Sequence, residues 1–177
     1  MTDAGEFPTL TQLVEEHASL LYRYAYRLCG QAADADDLTQ QTFLIAQERL
    51  EQLRSAENAR GWLCTILRNL YLKSRRHVEP QSLELEPVDC REPGPPDGAI
   101  DPEELQAALQ ELPEAFRTPL ILFYFEEFRY QEIAEQLDVP IGTVMSRLAR
   151  GKSHLKQRLG RREEQPPARR LKSAGVS

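Results

Sequence analysis

Cysteine and histidine are scarce in this chain, and neither is arranged for chemistry. The 177 residues include three of each, namely Cys29, Cys64, Cys90, His17, His77 and His154. No CxxC pair, no metal-ligand spacing and no phosphate-cradling glycine loop occurs. These absences argue against a disulfide framework, a metal centre and an enzyme. We therefore expect free thiols in a reducing cytoplasm, and no catalytic residue, cofactor or metal.

Long hydrophobic runs are also missing. No stretch of about 18 apolar residues occurs, as a membrane-spanning helix would require. The first ten residues, MTDAGEFPTL, are polar and acidic, unlike a secretory signal. We expect a cytoplasmic protein without membrane insertion. Its 41% hydrophobic content is enough for the modest cores of two small helical domains.

The net charge of -6 conceals an alternation along the chain. By segment the net charge is -6 over 1–53, +5 over 54–77, -8 over 78–104, -5 over 105–142 and +8 over 143–177. Two cationic segments separated by anionic ones are typical of two separate nucleic-acid contacts joined by an acidic tether.

The last cationic segment follows the pattern of a helix-turn-helix. Apolar residues at helical spacing stop at Asp138 to Pro140 and then resume: Ile133, Ala134, Leu137, Val144, Leu148, Leu155 and Leu159. If these face inward, one outward stripe holds Thr143, Ser146, Arg147, Arg150 and His154. Such a stripe suits base edges and phosphates.

The run from Leu112 to Leu159, with its TV-x-SRL core, resembles the C-terminal promoter-binding domain of the sigma-70 family, in its extracytoplasmic-function (ECF) group. The resemblance implies contact with the minus-thirty-five promoter element and with the flap of the second-largest RNA polymerase subunit. The implied DNA contacts are Thr143, Ser146, Arg147, Arg150 and Lys152.

The N-terminal segment predicts three helices. Thr9 and Gln12 form a candidate capping box for the first helix, and Gly30 ends it. The second helix is predicted to open at Asp34, with acidic residues at the positive end of its dipole. It resembles the sigma-70 element that grips the clamp helices of the largest polymerase subunit. The implied contacts are Asp34, Asp37, Leu38, Gln40, Gln41 and Phe43.

The third predicted helix, 59–76, mixes basic and aromatic residues. Its apolar arc contains Ala59, Trp62, Leu63, Ile66, Leu67 and Leu70. A second stripe, predicted to face a phosphate backbone, contains Arg60, Cys64, Arg68, Tyr71 and Arg75. By resemblance, this helix and the preceding loop capture a flipped base of the minus-ten element without ATP. The implied residues are Arg54, Asn58, Arg60, Arg68, Asn69 and Lys73.

The sequence thus predicts an all-α protein with two small helical domains. The expected parts are a sigma2-like domain at 1–78, a flexible acidic linker at 79–104, a sigma4-like helix-turn-helix domain at 105–162 and a disordered basic tail at 163–177. The linker prediction depends on six prolines and two glycines between residues 80 and 102.

The favoured hypothesis is a sigma factor that directs core RNA polymerase to promoters, without catalysis of its own. The alternative is a stand-alone helix-turn-helix repressor or activator that binds duplex DNA as a dimer. An enzyme carrying a DNA-binding module is a third class. Many relatives are held inactive by an anti-sigma factor, and the residues leave that partner open.

Overall fold

The computed structural model describes residues 8–53, 55–75 and 100–163, with side chains as far as residue 160. Over these ranges the chain forms helices and no strand. The helices are α1 (Leu10–Cys29), α2 (Ala32–Glu48), α3 (Ala59–Arg75), α4 (Pro102–Glu111), α5 (Glu114–Tyr124), α6 (Tyr130–Leu137) and α7 (Ile141–Glu163), with 3-10 turns at Leu50–Gln52 and Ala56–Asn58. The all-α prediction is confirmed. No helix in the described ranges is long and apolar enough to cross a membrane.

The ends of α1 match the sequence-based prediction. The Gln12 amide donates to Thr9 Oγ1 at 3.3 Å, and the Thr9 amide donates back to Gln12 Oε1 at 2.7 Å. Gly30 follows α1 with φ of 80°, a left-handed conformation that glycine adopts without strain. Its amide donates to the Tyr26 carbonyl at 2.7 Å. The helix therefore ends in the αL motif that the glycine indicated.

The second helix begins earlier than predicted. Its first residue is Ala32, and its N-cap Gln31 makes no side-chain capping bond. Asp34 lies inside the first turn, where its charge still favours the helix dipole. The earlier start is explained by Ala32 and Ala33, because alanine extends a helix more readily than any other residue.

The helices α1, α2 and α3 pack around an apolar interior. Its fully buried residues include Leu21, Tyr24, Leu28, Leu63 and Leu67. The predicted apolar arc of α3 faces this interior: Ala59, Leu63, Ile66 and Leu67 are buried, while Trp62 and Leu70 are half-buried.

In the C-terminal half, α5 is the central helix and contacts α1, α6 and α7. Leu120, Ile121 and Leu122 are all buried, because α5 is covered on more than one side. Helix α7 approaches α5 closely at Gly151, where an added β-carbon would lie 2.7 Å from Leu120 Cδ1. Asp101 caps α4, so residues 102–104, which were assigned to the linker, are helical. Residues 79–99 of the predicted linker lie outside the described residues.

Candidate nucleic-acid interface

The helix-turn-helix is formed by α6, a three-residue turn at 138–140 and α7. Asp138 closes α6 in the left-handed region, with φ of 51°. The Val139 amide then donates to the Ala134 carbonyl at 3.1 Å, and the Thr143 amide donates to the Pro140 carbonyl at 2.8 Å. Because these bonds fix the turn on both sides, α7 leaves α6 at a defined angle. The predicted turn at 138–140 is thus present.

The inward and outward faces of α7 follow the predicted periodicity. Val144 and Leu148 are buried against the rest of the C-terminal half. Ser146 and Arg150 are exposed, and Thr143 and Arg147 are half-buried beside them. The Ser146 hydroxyl donates to the Thr143 carbonyl at 3.0 Å. These four residues form one outward surface, which we call the α7 stripe.

Lys152 does not belong to the α7 stripe. At about 100° per residue it lies roughly half a turn from Thr143. It is exposed on the other side of the buried arc. A DNA duplex that meets the α7 stripe would meet Lys152 only at its edge, which suits a phosphate rather than a base.

The electrostatics of α7 favour an anion at its N-terminal end. The first turn contains no acidic residue. Arg147 and Arg150 make no ion pair within the described ranges. The unpaired amides of a helix N-terminus carry partial positive charge, which adds to that of the arginines. The stripe and this helix end can therefore bind phosphate together.

The predicted phosphate-facing stripe of α3 is the main error of the sequence interpretation. Cys64 and Tyr71 are buried rather than exposed. The Arg68 Nε donates to Glu114 Oε1 at 3.1 Å, and the Arg60 guanidinium lies 4.1 Å from the centre of the Phe128 ring. Glu114 and Phe128 both belong to the C-terminal half. Most of this stripe is covered because the C-terminal half packs against it, and only Arg75 at its end is exposed.

A different face of α3 is open. Asn69 and Lys73 are exposed along one side of the helix, and Asn58 is exposed at its start, as the last residue of the preceding 3-10 turn. Trp62 borders them and is half-buried. The six residues implied for the minus-ten element are therefore divided: three are on this open face, Arg60 and Arg68 contact the C-terminal half, and Arg54 lies outside the described residues.

The candidate polymerase surface on α2 is likewise only partly accessible. Asp34, Asp37, Gln40 and Gln41 are exposed, whereas Phe43 is half-buried against the core. Leu38, which was predicted as a contact, is 8% exposed and belongs to the apolar interior. Its side chain packs against the other residues of this interior and presents little surface to a partner.

Sequence reasoning missed Leu44. This residue is 61% exposed and lies on the same face of α2 as Asp37 and Gln41. A single exposed leucine is common on protein surfaces, and Leu44 is a candidate contact because it lies among the residues that the resemblance implies for polymerase binding. The sequence could have indicated this exposure, because Leu44 does not share the helical spacing of the buried residues of α2.

The thiols of the described residues are free, and one of them is inert. Cys29 and Cys64 form no disulfide, and Cys90 lies outside the described residues. Burial raises the pKa of the Cys64 thiol to about 12. A thiol that stays protonated at neutral pH is a poor nucleophile and a poor metal ligand. The described ranges hold no cluster of His, Cys, Asp and Glu that could bind a metal.

Two family profiles match the chain. The profile for Sigma-70 region 2 matches residues 13–79, and the profile for Sigma-70, region 4 matches residues 102–155. The first range covers α1 to α3, and the second covers α4 to the middle of α7. The matches therefore coincide with the two helical halves.

Characterised relatives match most of the chain. The ECF RNA polymerase sigma factor SigE of Mycolicibacterium smegmatis is 35% identical over 167 residues, which cover 90% of this chain and 65% of SigE. The chain thus spans just under two thirds of that relative. SigL of Mycobacterium tuberculosis, another ECF RNA polymerase sigma factor, is 34% identical over 82% of this chain and 85% of SigL.

A solved structure shares the fold. The sigma factor RpoE of Bartonella quintana, in a co-crystal with the anti-sigma factor NepR, superposes with a TM-score of 0.69. The two sequences are 26% identical, and the match covers 85% of this chain and 96% of the other.

Proposed function

Because this chain belongs to the extracytoplasmic-function group of the sigma-70 family, we propose that it directs bacterial core RNA polymerase to specific promoters and helps to open them. It acts as a cytoplasmic binding protein and performs no catalysis. The observation that carries the proposal is the α7 stripe. Its arginines have no ion-pair partner in the described ranges, and it projects from a hydrogen-bonded turn.

The α7 stripe supplies the minus-thirty-five contacts. Thr143, Ser146, Arg147 and Arg150 meet the major groove, and Lys152 adds a phosphate contact at the edge. Arginine can bind guanine through two hydrogen bonds, so Arg147 and Arg150 are the candidates for base contact. The remaining polar side chains are short and fix the register of the helix on the backbone.

The N-terminal half binds the polymerase and the minus-ten element. The exposed face of α2 presents Asp34, Asp37, Gln40, Gln41 and Leu44 to the clamp helices of the largest subunit. The open face of α3 presents Asn58, Asn69 and Lys73 to a single strand. Amide and cationic groups beside Trp62 suit an unstacked base and its phosphates, and binding an unpaired base stabilises the melted state. Strand opening then needs no hydrolytic step.

An anti-sigma factor is a further proposed partner. The support is that RpoE of Bartonella quintana was co-crystallised with the anti-sigma factor NepR. The alternative function, a stand-alone repressor or activator, leaves the exposed Leu44 and its acidic neighbours on α2 without a role. The sigma hypothesis uses both halves of the molecule.

Run-off transcription tests the proposal. Purified core polymerase is supplied with promoter fragments, with and without this protein, and without ATP-driven activators. Promoter-specific transcripts that require the protein support it. Arg150→Ala should reduce them, whereas Gln157→Ala, also exposed on α7, should not. Tight duplex binding by the isolated protein, without core binding or transcripts, would support the stand-alone regulator instead.

A further inference from the structure

One flank of α7 presents apolar side chains to solvent. Met145 is 53% exposed and Ile141 is 44% exposed, and Ala149 is exposed as well. Among the large apolar side chains of the described ranges, only Leu44 is more exposed than Met145. A singly exposed apolar residue is common on protein surfaces, so the arrangement of these three side chains decides whether they have a role.

The three residues form one row along the helix. Ile141, Met145 and Ala149 follow one another at intervals of four residues, and residues four apart lie on the same side of an α-helix. We call these three residues the apolar row. The other exposed residues of α7 between 141 and 160 are glycine or polar: Gly142, Ser146, Arg150, Lys152, Gln157 and Gly160. The exposed apolar surface of α7 is therefore collected on one flank.

The apolar row lies between two surfaces that the proposed function assigns to DNA. Met145 and Arg147 lie on opposite sides of Ser146, each rotated by about 100°. Lys152 lies about 20° beyond Met145, on the side away from Ser146. A duplex that meets Ser146 with its base edges and Lys152 with a phosphate must therefore pass over Met145 and Ala149.

The backbone beside the row leaves room for a close ligand. Gly142 is exposed, and a β-carbon added there would meet nothing within 4 Å. Packing within the protein therefore does not require a glycine at this position. By its rotation about the helix axis, Gly142 lies between Met145 and Ser146. A base edge that approaches the helix backbone closely at this point would require a glycine.

The major groove offers one kind of apolar group to such a row. Its base edges carry hydrogen-bond donors and acceptors, and the apolar group among them is the C5 methyl of thymine. Methionine is unbranched and flexible, so its side chain can adjust to the position of a methyl group. A polar base edge against Met145 would instead lose hydration without gaining a hydrogen bond. The chemistry thus favours thymine opposite Met145.

Charge distinguishes DNA from an apolar protein partner at this surface. The apolar row is bordered by Arg150 on one side and by Lys152 on the other. The first turn of α7 contains no acidic residue. A ligand that covers the row must therefore be anionic as well as partly apolar. Duplex DNA that contains thymine meets both conditions.

We propose that Met145 is a specificity-determining residue that contacts the C5 methyl group of a thymine in the minus-thirty-five element. Ala149 and Ile141 complete the apolar surface around this methyl group. The inference rests on the proposed function and extends it to a second kind of base. Arginine and methionine select different bases, namely guanine for Arg147 or Arg150 and thymine for Met145.

Replacing thymine by deoxyuridine tests the contact, because this change removes only the methyl group. The minus-thirty-five element is located by run-off transcription, and each thymine on either strand is then replaced in turn. Competition binding gives the affinity of the holoenzyme, formed from core polymerase and the full chain. We expect about a fourfold loss of affinity at one thymine, as for one buried methyl group. The holoenzyme with Met145→Ala should bind the thymine and deoxyuridine promoters equally at that position.

Further substitutions separate the methyl contact from a general defect. Met145→Leu keeps an apolar side chain and should retain most of the methyl sensitivity, whereas Met145→Gln introduces a polar amide and should lose it. Gln157→Ala, exposed farther along α7, is the matched control and should retain the full fourfold loss expected above for one methyl group. Because Met145 is largely in solvent, its variants should unfold at the same temperature as the unsubstituted chain.

The possible outcomes separate this inference from the proposed function. Specific promoter binding without methyl sensitivity at any thymine would overturn the inference and leave the proposed function intact. Methyl sensitivity that persists in Met145→Ala would also overturn it. A defect of Met145→Ala that is equal on thymine and deoxyuridine promoters would assign Met145 to a protein or backbone contact instead. Absence of both promoter binding and transcripts would count against the proposed function itself, and against this inference with it.

Discussion

The interior of the N-terminal half and the boundary between the halves are both buried, but they are built from opposite kinds of side chain. Leu21, Leu63 and Leu67 fill the interior with apolar surface. The boundary instead buries Arg117 and Glu126, and hydrogen bonds replace only part of their hydration. Apolar burial stabilises by excluding water, whereas polar burial stabilises only where partners fit. The interior is therefore held by apolar packing, and the boundary is held by a small number of individual polar pairs.

The largest expected effect is a loss of stability in the interior. Leu67→Ala removes a fully buried side chain and should lower the free energy of unfolding by about 2–5 kcal/mol. Urea denaturation followed by circular dichroism measures the change. Arg68→Ala, on the boundary face of the same helix, should cost about 1 kcal/mol or less, because its ion pair is partly exposed. Equal losses would show that the boundary belongs to the same cooperative core.

The next effect concerns the arginines of the α7 stripe, which make no ion pair in the described ranges, whereas the boundary arginine Arg68 is paired. Arg147→Ala should weaken promoter binding by the holoenzyme by about 1–3 kcal/mol and relax preference at one position of the minus-thirty-five element. Binding to a panel of promoter variants measures both quantities. Lys152→Ala, away from the α7 stripe, should weaken all sequences alike. A uniform loss for Arg147→Ala would reassign that arginine to a phosphate.

An exposed leucine offers a contrast with the buried ones. Leu44→Ala should leave stability within about 0.5 kcal/mol of the original, because its side chain is largely in solvent. It should weaken binding to core polymerase by about tenfold, because about 1.4 kcal/mol is lost when the apolar surface of Leu44 is no longer buried against the clamp helices as proposed. Fluorescence anisotropy with labelled protein gives the affinity. Gln47→Ala, exposed nearby on α2, is the control and should bind normally.

A pH effect on stability should appear at the boundary. Burial raises the pKa of Glu126 to about 7, and the charge of Glu127 acts in the same direction. The charges of Arg23, Arg27 and Arg60 oppose this rise. Tyr24 and Cys64 also face the Glu126 carboxyl. The folded protein thus retains a proton that the unfolded chain, with a carboxyl pKa near 4.5, releases. This contribution to stability is fully present below that value and is lost as the pH rises through about 7, so the unfolding equilibrium constant should increase about tenfold between pH 6 and 8.

Urea denaturation, recorded across this pH range, measures the effect. Glu126→Gln should abolish this pH dependence of the free energy of unfolding. Glu127→Gln changes an exposed neighbour and should retain most of the dependence. A pH-independent free energy of unfolding in the unsubstituted chain would contradict the role assigned to the Glu126 carboxyl.

The same difference explains what could be predicted from the sequence. Thr9, Gly30 and the apolar periods of α3 and α7 act locally, so the helices and the turn at Asp138 could be predicted. The burial of Cys64 and Tyr71 could not be predicted, because a polar helix face has the same sequence pattern whether it meets solvent, phosphate or another domain. The contacts that bury such a face join residues distant along the chain: Arg68 and Glu114 are 46 residues apart, and Arg117 and Leu28 are 89 residues apart.

The smallest effect tests how closely apolar packing is fitted where α7 crosses α5. Replacing a helical glycine by alanine normally adds about 0.5–1 kcal/mol of stability. Gly160→Ala should show this gain, since nothing lies within 4 Å of the added β-carbon. Gly151→Ala places its β-carbon 2.7 Å from Leu120 Cδ1, so Leu120 must rotate and the gain should vanish or reverse. Thermal unfolding of both variants gives the comparison. A full gain for Gly151→Ala would show that Leu120 repacks freely and that this apolar contact is not closely fitted.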